Sequence, residues 1–147
     1  MMKSDFLNHL DHDKIVKAIQ EAEKKTTGEI RVRISGRKIL LWSDEMQVAR
    51  RAFQTMGMTR TPDRNGVLVM VFPKRRRLVI LGDKAVHEKA GQKFWEDMIE
   101  KAAHEFKEKK YTQGIIQTVD RIGKILAQYF PKTKSDRDSL PNKVIES

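Results

Sequence analysis

The apolar positions of this chain change their period several times, and each change predicts an element. Residues 66–72, GVLVMVF, are apolar without a break, the pattern of a strand buried on both faces of a sheet. A second apolar run at 78–81 follows the basic turn 73–77, PKRRR. The two runs read as a β-hairpin, with the first as the central strand. Glu29–Ile34 alternates instead, with Ile30, Val32 and Ile34 on one side and Glu29, Arg31 and Arg33 on the other, which predicts a half-buried strand at a sheet edge.

Helical periods fill the intervals. Ile15, Ala18, Ile19 and Ala22 share one face of a helix that starts near Asp11 or Asp13 and ends at Thr26-Thr27-Gly28, with acids in its first turn where the helix dipole favours them. A second helix is predicted over 43–56, with Ser43 as N-cap, Asp44 and Glu45 in the first turn and Gly57 just past its end. Its apolar stripe is Met46, Ala49, Phe53 and Met56. A short helical turn is expected at 84–90, and a longer helix over 92–107 presents Phe94, Trp95, Met98, Ile99, Ala102 and Phe106, enough to cover one side of a sheet. The clearest seam is Ile115, Val119, Ile122, Leu126 and Tyr129, which places a last helix from Thr112 to the Phe130-Pro131 stop.

Strand, helix and strand in this order form a βαβ crossover, which makes the first two strands parallel with a right-handed connection. The predicted fold class is α/β: a mixed central β-sheet, parallel βαβ plus antiparallel hairpin, sandwiched by helices on both faces. One domain over 8–131 accounts for all the periodic sequence. Residues 132–147 lack a period and read as a mobile polar tail.

Composition narrows the setting. A chain of 147 residues is long enough to bury about two-thirds of its unfolded surface without covalent staples, and without cysteine there are none. The N-terminus, MMKSDFLNHLDHDK, has no apolar core of the signal-peptide kind, and no apolar run approaches a membrane span. A soluble, cytoplasmic protein with no membrane span is expected. The formal charge of +10 invites nucleic acid or an anionic surface as partner. The basic residues are nevertheless scattered, aromatic residues sit at core-like positions, and no groove-reading motif accompanies them. No specific nucleic-acid partner is expected; a protein partner of unspecified identity is.

The topology also predicts a site. With strands one and two parallel and strand three returning, the start of strand one, the start of strand two and the end of strand three share one rim, and that rim collects Glu29, Asp63, Asn65 and Asp83. Oxygen ligands drawn from several loops are what Ca2+ or Mg2+ requires, whereas thiolates and paired histidines for zinc are lacking. The same residue types also suit turns and caps, since Asp63 and Asn65 favour turns and Asp83 can cap the following helix. Of the four histidines, His9, His12 and His104 read as surface residues, while His87 stands one helical turn beyond Asp83. Walker A, dinucleotide-fingerprint, G-x-S-x-G and cysteine-nucleophile signatures are absent from the sequence.

The order AEKKTTGEIRVRI, then a helix, then GMTRTPDRNGVLVMVFPKRRRLVILGDKAVHEK, then FW and a late YFP, resembles the TPM domain family, known from thylakoid-lumen, photosystem-repair and receptor-modulating proteins. The most specific pieces are Thr27-Gly28-Glu29-Ile30, Asn65-Gly66-Val67-Leu68 and Gly82-Asp83. The resemblance implies a sheet between helices, and a divalent cation or, as in members described as acid phosphatases, a metal-assisted phosphomonoesterase at the acidic rim. For the latter, Arg60 or Arg64 and Asp63 are the residues at hand, but no in-line nucleophile stands out. Neither the signal peptide nor the membrane anchor of several relatives is expected here, which points away from lumenal and membrane-repair roles.

Overall fold

The computed structural model describes residues 5–35 and 44–132. Three strands form one sheet in the order β1 (Glu29–Ile34), β2 (Gly66–Phe72), β3 (Arg77–Gly82). The β1–β2 pair is parallel, with Glu29 opposite Gly66 and Ile34 opposite Val71; the β2–β3 pair is antiparallel, with Val67 opposite Gly82 and Phe72 opposite Arg77. All of β2 is buried, as its unbroken apolar run requires of a central strand. The hairpin turns through a 3₁₀ segment, Pro73–Arg75, and then Arg76 at φ 50°.

Among the described residues six helices surround the sheet: α1 (Asp5–Asn8), α2 (His12–Glu23), α3 (Glu45–Thr55), α4 (Lys84–Ala90), α5 (Gln92–Lys107) and α6 (Tyr111–Tyr129). Strand alternation sorts the core into two clusters. Val67, Val69 and Val71 of β2, with Leu78 and Ile80 of β3 and Ile30 of β1, meet Trp95, Met98 and Phe106 of α5 and Ile115, Val119, Ile122 and Leu126 of α6. Leu68, Met70 and Phe72, with Val79, meet Ala49, Ala52 and Phe53 of α3 and Met58 of the 3₁₀ turn Met58–Arg60. Helices therefore cover both faces, among the described residues the first thickly and the second thinly. On the thick face α2 lies against α6 so closely that a Cβ on Gly123 would stand 2.6 Å from Cβ of Ala22.

Several expected details shift. The N-cap of α3 is Asp44, whose carboxylate accepts from the Met46 N–H at 2.9 Å; Ser43 lies outside the described residues, as do the tail positions 133–147. Helix α1 was not expected from the sequence, because four residues are too few to show a period. It is held by Phe6, which stacks on Tyr111 with ring centroids 4.3 Å apart, and by Asp5, which accepts from the Tyr111 hydroxyl at 3.0 Å. On α5 the buried residues are Trp95, Met98, Ala102 and Phe106, whereas Phe94 and Ile99 are half-buried. Tyr129, the last residue of the α6 seam, is 40% exposed. Among the described residues, no helix is long and apolar enough to cross a membrane.

Candidate functional site at the loop rim

Parallel pairing at the start of β2 and antiparallel pairing at the end of β3 bring three loops to one rim, as the topology predicts. Backbone hydrogen bonds lock them there: Asp83 N–H donates to the Gly66 carbonyl at 2.8 Å, and Ala85 N–H to the Arg64 carbonyl at 3.1 Å. The loop before β1 is fastened to the end of α6. The Thr26 hydroxyl, 1% exposed with its residue, lies 2.6 Å from the Phe130 carbonyl and 3.1 Å from that of Leu126, and accepts from Gly28 N–H at 3.0 Å. The Thr27 N–H donates to the Phe130 carbonyl at 3.0 Å. A Cβ on Gly28 would stand 2.9 Å from both methyls of Leu126 and 3.2 Å from the Asn65 carbonyl, so glycine is what lets this loop pass between helix and β2. Within the β2 loop, Asn65 N–H donates to the Thr61 hydroxyl at 3.2 Å.

The four predicted residues all reach this rim, but not in the same state. Asp83 is committed. Its carboxylate takes two hydrogen bonds from the Arg64 guanidinium, Nε to Oδ2 at 2.7 Å and Nη2 to Oδ1 at 2.8 Å, and also caps α4 by accepting from Lys84 N–H at 2.8 Å. Burial pushes the Asp83 carboxyl up, yet the guanidinium and the N–H outweigh it and hold the group below the usual carboxylate range. Arg64 makes this reach from a left-handed backbone, φ 51°, a conformation that L side chains adopt at a cost of about 1 kcal/mol or more. Glu29 is likewise engaged, accepting from Arg31 Nε at 2.7 Å. The like-charge crowding expected of three carboxylates is therefore relieved at two of them by arginine.

Asp63 and Asn65 are placed differently. Asp63 is exposed and has no cation beside it among the described residues; its Oδ2 accepts from the Thr27 hydroxyl across 3.4 Å. Asn65 is 1% exposed. Its amide donates to Thr27 Oγ1 at 3.1 Å, while its Oδ1 is buried without a hydrogen-bond partner. A buried acceptor left unpaired costs about 1–3 kcal/mol, so native structures rarely leave one without a water or ion. Among the described residues, no three of His, Cys, Asp and Glu come close enough together to hold a metal ion; what joins here is a chain from the Asn65 amide nitrogen through the Thr27 hydroxyl to the Asp63 carboxylate. His87 stays off the rim, its Nδ1 accepting from Trp95 Nε1 at 3.0 Å.

Sequence reasoning missed the threonines and Glu23. Thr26 and Thr27 carry most of the loop's hydrogen bonds, and the paired Thr before Gly28 was the signal available. Glu23, at the end of α2, accepts from the Ile30 N–H at 2.9 Å with Oε2. Its burial, opposed by that N–H and reinforced by nearby Glu29, raises its pKa.

A three-stranded mixed sheet between helices, with its loops gathered at the rim where the parallel strands begin, defines a small α/β sandwich. The chain belongs to the TPM domain family, whose profile matches residues 2–125. It is similar to the BA42 protein of the psychrophilic bacterium Bizionia argentinensis, known by NMR, at 34% identity over 91% of this chain and 92% of that one, with a TM-score of 0.76. It also shares its fold with the N-terminal domain of a protein from P. gingivalis, at 14% identity over 82% of this chain and 78% of that one, with a TM-score of 0.59. No curated protein matches the chain.

Proposed function

We propose that this TPM-domain chain binds a divalent cation, Ca2+ or Mg2+, at the loop rim and presents the ordered loops to a protein partner. The observation that carries the reading is the buried, unpartnered Oδ1 of Asn65, an amide whose nitrogen is already tied to the Thr27 hydroxyl, which in turn donates to the Asp63 carboxylate. Hard cations take neutral and anionic oxygens together and fill remaining positions with water. The donors would be the Asp63 carboxylate and Thr27 Oγ1, with Asn65 Oδ1 joining them once its amide turns from the Thr27 hydroxyl. Asp83 and Glu29 are held by Arg64 and Arg31; each would have to leave its arginine to become a ligand, so they act first through their charge.

Binding to the folded state alone stabilises it. At a cation concentration about 100 times the dissociation constant, linkage gives roughly 2.7 kcal/mol. An NMR titration tests the reading directly: the amides of Gly28, Asn65, Gly66 and Asp83 are expected to shift at millimolar Ca2+ or Mg2+, and chelator to reverse the shift. Asp63→Asn should abolish it, while Asp44→Asn, at the cap of α3, should leave it intact. Amides that stay still at millimolar cation would show Asp63 and Asn65 to be turn residues only.

A further inference from the structure

Away from the loop rim, a cleft of about 330 Å³ opens in the seam between α5 and α6. Small residues create it. Ala102 offers only a methyl to the seam, Gly114 lets the Phe106 ring pack where a Cβ would stand, 2.8 Å away, and Thr118 turns its hydroxyl back onto the Gly114 carbonyl at 2.8 Å. The floor is buried: Met98 and Ala102 are each 2% exposed and Thr118 3%. Around it stand Lys101 of α5 and Gln117, Arg121 and Lys124 of α6. None of the three cations makes an ion pair among the described residues, and Asp120 is the one carboxylate in the lining.

We infer that this cleft binds a small organic anion, a phosphate or carboxylate head carried on a compact apolar body. The cavity lies at the lower end of the roughly 300–1,000 Å³ range of ligand pockets, which suits a single ring or short chain. Cations beside a low-dielectric floor attract an anion more strongly than the same cations surrounded by water. The methylene stems of Lys101, Arg121 and Lys124 supply apolar walls below their charged ends. Gln117 adds an amide that can donate to the head group. Exposed basic residues elsewhere, such as Lys74 and Arg76 at the hairpin turn, have the charge without the floor.

The test uses the whole chain with phenyl phosphate, benzoate and inorganic phosphate in parallel NMR titrations. Phenyl phosphate and benzoate are expected to saturate, with Kd about 1 mM or below, and to shift the Gly114, Gln117 and Thr118 amides and the Met98 methyl. The stronger of the two identifies the preferred head group. Inorganic phosphate, lacking the apolar body, should bind more weakly at the same residues. Replacing both rim cations, Arg121→Gln with Lys124→Gln, should weaken binding by about tenfold or more, and Asp120→Asn should strengthen it. These are exposed positions, so the variants keep their fold, which the unshifted remainder of the spectrum verifies. Equal shifts at Lys74 and Arg76, equal affinity for inorganic phosphate, or no loss in the double variant would overturn the proposal. So would an acidic helical peptide that binds this seam while all three small anions are silent.

Discussion

The two faces of the sheet bury different amounts on the same three strands. One is covered by α2, α5 and α6 with the aromatic residues Phe6, Trp95, Phe106 and Tyr111 among its core; the other is covered by α3 and one 3₁₀ turn over Leu68, Met70, Phe72 and Val79. Strand β2 alternates between them, so both depend on the same backbone. The loop rim is fastened to the thick side, through Thr26, Thr27 and Gly28 against the end of α6. The larger core thus holds the loop before β1, whereas the loop before β2 starts from the 3₁₀ turn whose Met58 belongs to the thin-face cluster.

Trp95→Ala probes the thick face where it is most committed, since the indole lies 2.7 Å from where a Cβ on Gly82 would be and donates to His87. It is expected to cost about 3–5 kcal/mol, read as a lowered denaturation midpoint in urea, and to unfold rim and sheet together. Phe53→Ala on the thin face should cost about 3 kcal/mol, at the lower end for such truncations because a single helix can settle into the gap. Its signature is hydrogen exchange: amides of α3 should exchange faster while those of α5 and α6 keep their protection. Uniform loss of protection in both variants would show the faces to be one cooperative unit.

Asp83→Asn asks how far the rim depends on its own ion pair. The asparagine still offers an oxygen to Lys84 N–H but no longer neutralises Arg64, and a melting temperature lower by about 3 °C is expected near neutral pH. Because the folded-state pKa of Asp83 is depressed, its contribution is fully present above the ordinary carboxylate range and is lost as pH falls through the folded value. The gap between wild type and variant should therefore close on acidification. Glu23→Gln is the smallest effect, within about 0.5 kcal/mol, and has the opposite pH sense. With a raised folded pKa, Glu23 favours the fold most when protonated, so wild type loses stability relative to the glutamine variant as pH rises through that value. A gap that widens toward acid pH for Asp83→Asn would contradict the assigned direction.

Much of the architecture could be read before the structure. The unbroken 66–72 run identified the central strand, and the alternation of Glu29–Ile34 identified an edge, because burial on two faces or one writes itself directly into the period. The α6 seam was equally plain up to Leu126. Where apolar residues were adjacent, the period was ambiguous: both Phe94 and Trp95 fit a broad stripe, and only packing against Gly82 selects the tryptophan as the buried member. The rim was legible as a meeting of loops, since strand order fixes it. Its ion pairs were not, because Arg64 reaches Asp83 only through a left-handed backbone that nothing in its residue type announces.

One contact at the edge of the sheet has a bearing on how molecules of this protein meet each other. Among the described residues strand β1 has β2 on one side only, and a bare strand edge is a template on which another chain can lay its own strand. Glu23 occupies the outward N–H of Ile30 with a carboxylate oxygen. An incoming strand would have to evict a charged group from its hydrogen bond before it could begin to pair, and would bring its own carbonyls toward that charge. A carboxylate at the end of α2 thus makes edge-to-edge pairing costlier at Ile30.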